Sequence, residues 1–186
     1  MAKAVLISIR PEWAVRILGG VKTAEVRRDR PKLDPPFKCY IYCTMPNTRD
    51  PHKLLEIHST DGKIHRGNGK IVGEFTCTGI HTIRYEMDGS VDAVDCRTTC
   101  LKPLDFIAYG KGRPLFGWDI ADVEIYDQPK PLSSVWFPPE TYCEKELCGG
   151  CPYDCCPSEY GDVLFDCEWK RPLKRPPQSW CYVEEQ

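Results

Sequence analysis

Apolar positions come first in this chain. Val5, Leu6, Ile7 and Ile9 follow one another with few polar breaks, which predicts a buried strand over residues 4–9. Pro11 suits the first turn of a helix, where its missing N–H is not needed. Trp13 and Ile17, with the neighbouring pair Ala14 and Leu18, recur at i, i+4 and make one apolar stripe. Gly19-Gly20 then stops the helix, since glycine accepts the left-handed cap. A strand follows and ends near Arg30-Pro31. Strand geometry alternates faces, so Thr23, Glu25 and Arg27 point one way and Ala24 and Val26 the other. Lys22 is out of phase with that polar row and can join Glu25 only from the loop end.

Further on, Lys32 to Pro36 is a proline-rich connector, and residues 38–44 read as a second strand with Tyr40, Ile41 and Tyr42. Residues 50–69 are polar and carry the turn signals Asp61-Gly62 and Gly67-Asn68-Gly69, which predicts an excursion or a loose hairpin. Residues 70–80 return to strand character and put Val72, Glu74, Thr76 and Thr78 on one face; an edge strand with Glu74 in water is one way to accommodate the carboxylate. Residues 81–103 give no clear period and are read as partly helical. Leu104 to Tyr109 makes a helical turn or two before Gly110. From Leu115 to Tyr126, Phe116, Trp118 and Ile120 alternate with Gly117, Asp119 and Ala121, a strand that would close the sheet.

The remainder changes character. From Ser133 onward come seven of the 12 cysteines and many prolines. Trp180 and Tyr182 are large residues that a free tail does not need, so they are expected to pack back. The division is therefore residues 1–132 as one domain and 133–186 as a cysteine-rich extension packed on it.

Composition adjusts this picture in two places. With 41% hydrophobic and 28% charged residues, the chain has the make-up of a soluble globular domain. Its formal charge of −2 argues against a bulk polyanion binder but leaves room for a local basic patch. Lys22, Arg27, Arg28, Arg30 and Lys32 form such a patch, or a solvated surface. The apolar run of residues 4–9 is too short for a signal peptide or a membrane span. The expectation is a cytoplasmic protein with no membrane partner, whose cysteines are thiols or metal ligands rather than structural disulfides.

Candidate chemistry gathers at Lys22, Thr23, Glu25 and Arg27, with Glu74 as a further carboxylate and Tyr42 and Trp118 as stacking aromatics. Three readings of the group remain open. A desolvated lysine beside carboxylates can serve as base or nucleophile. Lys22 and Arg27 can instead bind phosphate while Glu25 and Glu74 accept from a base or ribose. A structural ion pair at a strand end is the third.

Gly20, Lys22, Glu25 and Arg27 fill a Gly-x-Lys-x-x-Glu-x-Arg pattern that resembles the signature of the ASCH domains, small β-barrels related to the PUA fold of RNA-binding proteins. Gly73-Glu74-Phe75, Tyr109-Gly110-Lys111 and Gly117-Trp118-Asp119-Ile120 extend the likeness over roughly residues 3–132. The resemblance implies an α+β fold: a small PUA-like mixed β-barrel with flanking helices. It also implies RNA or a modified nucleotide as ligand, since members of the broad group are thought to bind RNA. Some bacterial members are amidohydrolases of acetylated cytidine, which would make Lys22 catalytic. Their threonine at the third residue after the lysine is Glu25 here, and Thr23 stands elsewhere.

The cysteines make a second constellation: Cys143, Cys148, Cys151, Cys155, Cys156 and Cys167. Cys148-Gly149-Gly150-Cys151 has the spacing and glycines of a zinc knuckle, and Cys156 with Cys167 would complete tetrahedral S₄ ligation. Buried free thiols, or a disulfide formed on oxidation, are the alternatives. Cys39 and Cys43 share a strand face but stand ~13 Å apart and are read as core thiols. Cys96 and Cys100 would chelate only from a helix, which Thr98-Thr99 does not favour. His52, His58, His65 and His81 form no helical chelating pair, which argues against a hydrolytic zinc centre. The leading expectation is an RNA or modified-nucleotide binding module with its ligand above Lys22, Glu25 and Arg27. An amidohydrolase using Lys22 and a protein-interaction module with structural zinc are the alternatives.

Overall fold

The structure is a computed structural model that describes residues 3–46, 53–86, 88, 90–136 and 173–186. Its strands are β1 (Lys3–Ile9), β2 (Ala24–Arg27), β3 (Phe37–Cys43), β4 (Glu56–His58), β5 (Ile64–Arg66), β6 (Lys70–Ile83), β7 (Leu115–Lys130) and β8 (Trp180–Glu184). Its helices are α1 (Pro11–Leu18), α2 (Ala93–Thr99) and α3 (Pro103–Gly110). Six strands form one mixed sheet in the order β2-β7-β6-β3-β1-β8, and β4 with β5 makes a separate hairpin. β1 and β3 run parallel; the other neighbours in the large sheet are antiparallel.

β1 has apolar side chains on both faces because both faces are covered. Val5, Ile7 and Ile9 join Cys39, Ile41, Cys43, Phe75, Cys77 and Trp118 under Ala14 and Ile17 of α1. Ala4 and Leu6 point the other way, into Tyr40, Tyr42, Ile71, Tyr126 and Val183. A third cluster, Val26, Ile83, Phe106 and Leu115, lies under α2 and α3. The predicted stripe of α1 is the buried one, with Ala14 and Ile17 fully covered. The helix stops at Gly19 and Gly20, and Gly20 supplies the positive φ of +70° that other residues adopt at a cost.

The sheet does not close into a barrel. Its edges are β2 and β8, and Arg27 Nη2 at the end of β2 reaches toward the other side of the sheet to donate to Ser8 O of β1 at 2.8 Å. Aromatic rings cover the gap. Trp180 packs edge-on against Trp118 at 5.9 Å and against Tyr182 at 5.4 Å, both rings set by the pairing of β8 with β1. The chain's late segment thus supplies a strand of the main sheet as well as a covering.

Two local expectations change. β6 is a central strand, not an edge: Glu74 sits opposite Tyr40 and Glu124 and is held by Lys38 Nζ at 2.8 Å and by a hydrogen bond from Tyr126. Residues 93–99 are helical despite Thr98 and Thr99. Asp92 caps the helix by accepting from Val94 N at 2.7 Å, and both threonine hydroxyls donate back to carbonyls one turn earlier. Tertiary packing overrides weak propensity here. Cys39, Cys43 and Cys77 are buried free thiols, and burial pushes Cys43 and Cys77 up to about 12, which keeps them protonated. Cys143, Cys148, Cys151, Cys155, Cys156 and Cys167 lie outside the described residues. Among those described, no helix is long and apolar enough to cross a membrane.

Candidate functional site

β2 is short, and the two residues it turns toward the main core, Glu25 and Arg27, are charged. Glu25 stands opposite Trp118 and Arg27 opposite Phe116 in the pairing with β7, so all four share the face of the main core. Lys22 reaches the same place from the loop end, as its phase demands. Its Nζ lies 3.4 Å from Glu25 Oε2, and Arg27 Nη1 lies 2.6 Å from Glu25 Oε1. One carboxylate thus lies between two cations.

The group is shut away from solvent. Lys22 is 2% exposed and Glu25 5%, so the solvent-open cleft expected over them is covered. Lys22 Nζ donates to Thr99 O at 2.7 Å and stands 5.5 Å from the Trp13 ring centroid. Burial pulls the Lys22 ammonium below the usual lysine range, and the neighbouring Glu25 carboxylate offsets this only in part.

Two polar atoms of this group, Arg27 Nε and Trp118 Nε1, are buried without a hydrogen-bond partner, and the buried Glu25 Oε2 faces the Lys22 ammonium at 3.4 Å. Both unpaired atoms donate. They belong to side chains contiguous with Glu25, which pairs with Trp118 across the strands and with Arg27 through its carboxylate.

The other expected site residues lie elsewhere. Glu74 and Tyr42 belong to the opposite face of the sheet, with Tyr40 and Tyr126. Burial pushes the Glu74 carboxyl up, but hydrogen bonds from Lys38 and Tyr126 outweigh it and hold the group below the usual carboxylate range. Thr23 is exposed; its backbone N–H donates to Thr98 O at 2.8 Å and its carbonyl accepts from Ile120 N. Trp118 is fully buried, edge-on to Phe37 at 6.1 Å, and forms a floor rather than an open stacking platform. Trp13 and Trp180 are the half-buried indoles beside the group.

The basic stretch splits in two. Lys22 and Arg27 turn inward, whereas Arg28, Arg30 and Lys32 are exposed. Arg28 lies 4.9 Å over the Tyr109 ring and donates twice to Tyr109 O. Arg30 lies 5.9 Å over Phe116, and Tyr182 accepts from Lys32 N at 2.6 Å. Cationic and aromatic groups therefore alternate along this rim. Trp13 was legible only as part of a helical stripe. The Thr98 and Thr99 carbonyls carry no side-chain signal that a sequence could show. Among the described residues no group of three or more His, Cys, Asp or Glu is placed to hold a metal.

No family model matches the chain, and no curated protein does. Solved structures do. ASCH from Zymomonas mobilis superposes with a TM-score of 0.54 at 17% identity, over 98% of this chain and 88% of that one. A tyrosine-to-phenylalanine variant of the same protein gives 0.53 at 16% identity, over 99% and 92%. A serine-to-alanine variant gives 0.53 at 17%, over 98% and 89%. The chain has the α+β fold of these ASCH structures.

Proposed function

We propose that this chain is a binding module for RNA or a modified nucleotide, with a base seated beside Lys22, Glu25 and Arg27. The observation that carries the reading is the pair of unpaired buried donors, Arg27 Nε and Trp118 Nε1, on either side of the Glu25 carboxylate. Each buried, unsatisfied group costs about 1–3 kcal/mol. An ion pair kept only for structure gains nothing from leaving them so. A base edge presents donors and acceptors side by side and can satisfy both. Outside, Arg28, Arg30 and Lys32 offer phosphate contacts, with aromatic faces beneath two of them.

The test is equilibrium binding of single-stranded RNA oligomers across a salt series. Affinity should fall as salt rises, by about 0.7 in log–log slope for each phosphate contact. Purified protein that retards no RNA and binds no nucleotide at low salt contradicts the reading.

One observation favours a second reading, an amidohydrolase of acetylated cytidine. Burial lowers the pKa of Lys22, which is the direction a lysine base or nucleophile needs. Against it, the Lys22 ammonium donates to Thr99 O, which occupies the group. On this reading the protein releases acetate from acetylcytidine, and Lys22→Ala abolishes release at saturating substrate. Absence of turnover in the unaltered protein, or turnover that survives the substitution, excludes it.

The zinc knuckle is carried forward on its sequence alone. Cys148, Cys151, Cys156 and Cys167, with Cys143 and Cys155 in reserve, would form a closed structural S₄ site, which also serves the reading as a protein-interaction module. Elemental analysis of protein purified without chelator should give about one zinc per chain. Less than about a tenth of an equivalent means the thiols hold no structural metal.

A further inference from the structure

The buried face of β2 leaves two hydrogen-bond donors over, with an acceptor next to each. Arg27 is anchored by its two terminal nitrogens. Nη1 lies 2.6 Å from Glu25 Oε1 and donates to Val26 O at 3.1 Å, and Nη2 donates to Ser8 O at 2.8 Å. Its Nε–H is left without an acceptor. Trp118 is fully buried, its ring packed edge-on against Phe37 and Trp180, and its Nε1–H has no acceptor either. A phenylalanine would fill apolar space there without stranding an N–H. Glu25 is the cross-strand neighbour of Trp118 and the ion-pair partner of Arg27. A carboxylate has about four lone-pair sites. Arg27 Nη1 takes one on Oε1, and the Lys22 ammonium faces Oε2 at 3.4 Å, so capacity remains to accept from a ligand.

With the carboxylate next to each donor, the three groups run donor, acceptor, donor. A ligand edge that pairs with all three must run acceptor, donor, acceptor. Of the four RNA bases only uracil has that edge: one carbonyl, the imide N–H, and a second carbonyl. Cytosine sets a ring-nitrogen acceptor against the carboxylate. Adenine offers an amine and a ring nitrogen and has no carbonyl. Guanine follows its carbonyl with two donors, and the second meets an N–H. Charge points the same way, because two cations share one carboxylate, and the excess of positive charge suits carbonyl oxygens better than exocyclic amines.

We infer, resting on the binding function proposed above, that the base seated beside Lys22, Glu25 and Arg27 is uracil held by its imide edge. Arg27 Nε and Trp118 Nε1 donate to the two carbonyls, and Glu25 accepts from the imide N–H. That edge is also the one that pairs with adenine, so the uracil is read unpaired. Lys22 and Glu25 are covered, so a base enters only where a neighbouring side chain gives way. Trp13, with its ring centroid 5.5 Å from Lys22 Nζ, and Trp180, 5.9 Å from the Trp118 ring, are half-buried at that border and offer faces on which a pyrimidine stacks.

The experiment is equilibrium binding, at one low salt concentration, of single-stranded RNA oligomers that carry a single base between abasic positions. The base is uracil, cytosine, adenine, guanine or 3-methyluracil, and the phosphates are alike in all. The uracil oligomer should bind about tenfold or more tighter than each of the others, the discrimination that one good pair of hydrogen bonds to a base gives. 3-Methyluracil keeps the ring and both carbonyls but lacks the imide N–H, so its loss isolates the contact with Glu25 without altering the protein. In Glu25→Gln the advantage of uracil over cytosine should shrink, because an amide N–H suits the ring nitrogen of cytosine. Equal binding of all the oligomers, preference for another base, or undiminished binding of 3-methyluracil overturns the assignment and leaves the binding module standing. If no oligomer binds, uracil included, the assignment is overturned as well, and the longer RNA of the salt series shows whether the binding function falls with it.

Discussion

Glu25→Ala is expected to lose about 3–5 kcal/mol of stability, the usual cost of stranding buried charge by removing its partner. Two cations depend on this carboxylate. Lys22 and Arg27 have side chains only 2% and 11% exposed, so neither regains full solvation when Glu25 goes. Lys22 keeps Thr99 O, and Arg27 keeps Ser8 O and Val26 O, but none of these acceptors carries a charge. Glu25→Gln should cost less, because an amide keeps the volume and an acceptor for Arg27, yet it should change ligand preference by turning an acceptor into a donor near Lys22. Urea unfolding of the three proteins checks this. A loss under about 1 kcal/mol for Glu25→Ala, the range of an exposed pair, would mean that the group is solvated and not buried.

The second large effect falls on the rim. Replacing Arg28, Arg30 and Lys32 together by alanine should weaken RNA binding more than tenfold at low salt and flatten the log–log salt slope by about 2, at about 0.7 per contact. The weakening should be alike for many sequences, since phosphate contacts carry no base identity. Arg27→Ala was the natural candidate for that role by sequence. The structure turns Arg27 inward, onto Glu25 and Ser8 O, so its removal should act on stability and preference and leave the salt slope nearly unchanged. If the triple variant keeps the slope of the unaltered protein, the rim is not the phosphate track.

Legibility from sequence followed local physics. The alternation of β2 places Glu25 and Arg27 on one face, and the position of Lys22 outside the strand lets it reach them; both follow from chain geometry alone. The strand-and-helix opening was legible for the same reason, because Pro11, the Ala14–Ile17 stripe and Gly20 are short-range signals. Long-range facts were not. Glu74 looked like a partner of Glu25 because it sits in a good strand, but which face it takes depends on register with β3, and that register sets it opposite Tyr40. The cover over Lys22 is a backbone carbonyl, which any residue at position 99 would supply. That the sheet stays open between β2 and β8 depends on long-range strand order, not on any apolar pattern.

Trp118 tests the central claim most directly. Its indole N–H is buried, unpaired and next to Glu25, so a base held there must hydrogen-bond to it or displace its surroundings. In a ¹⁵N–¹H spectrum the Trp118 Nε1–H resonance, assigned by Trp118→Phe, should shift as single-stranded RNA or the favoured nucleotide is added. It should saturate with the same affinity as bulk binding, and Glu25→Gln should alter that shift. A Trp118 resonance that stays in place while RNA saturates the protein would put the ligand elsewhere and contradict the site.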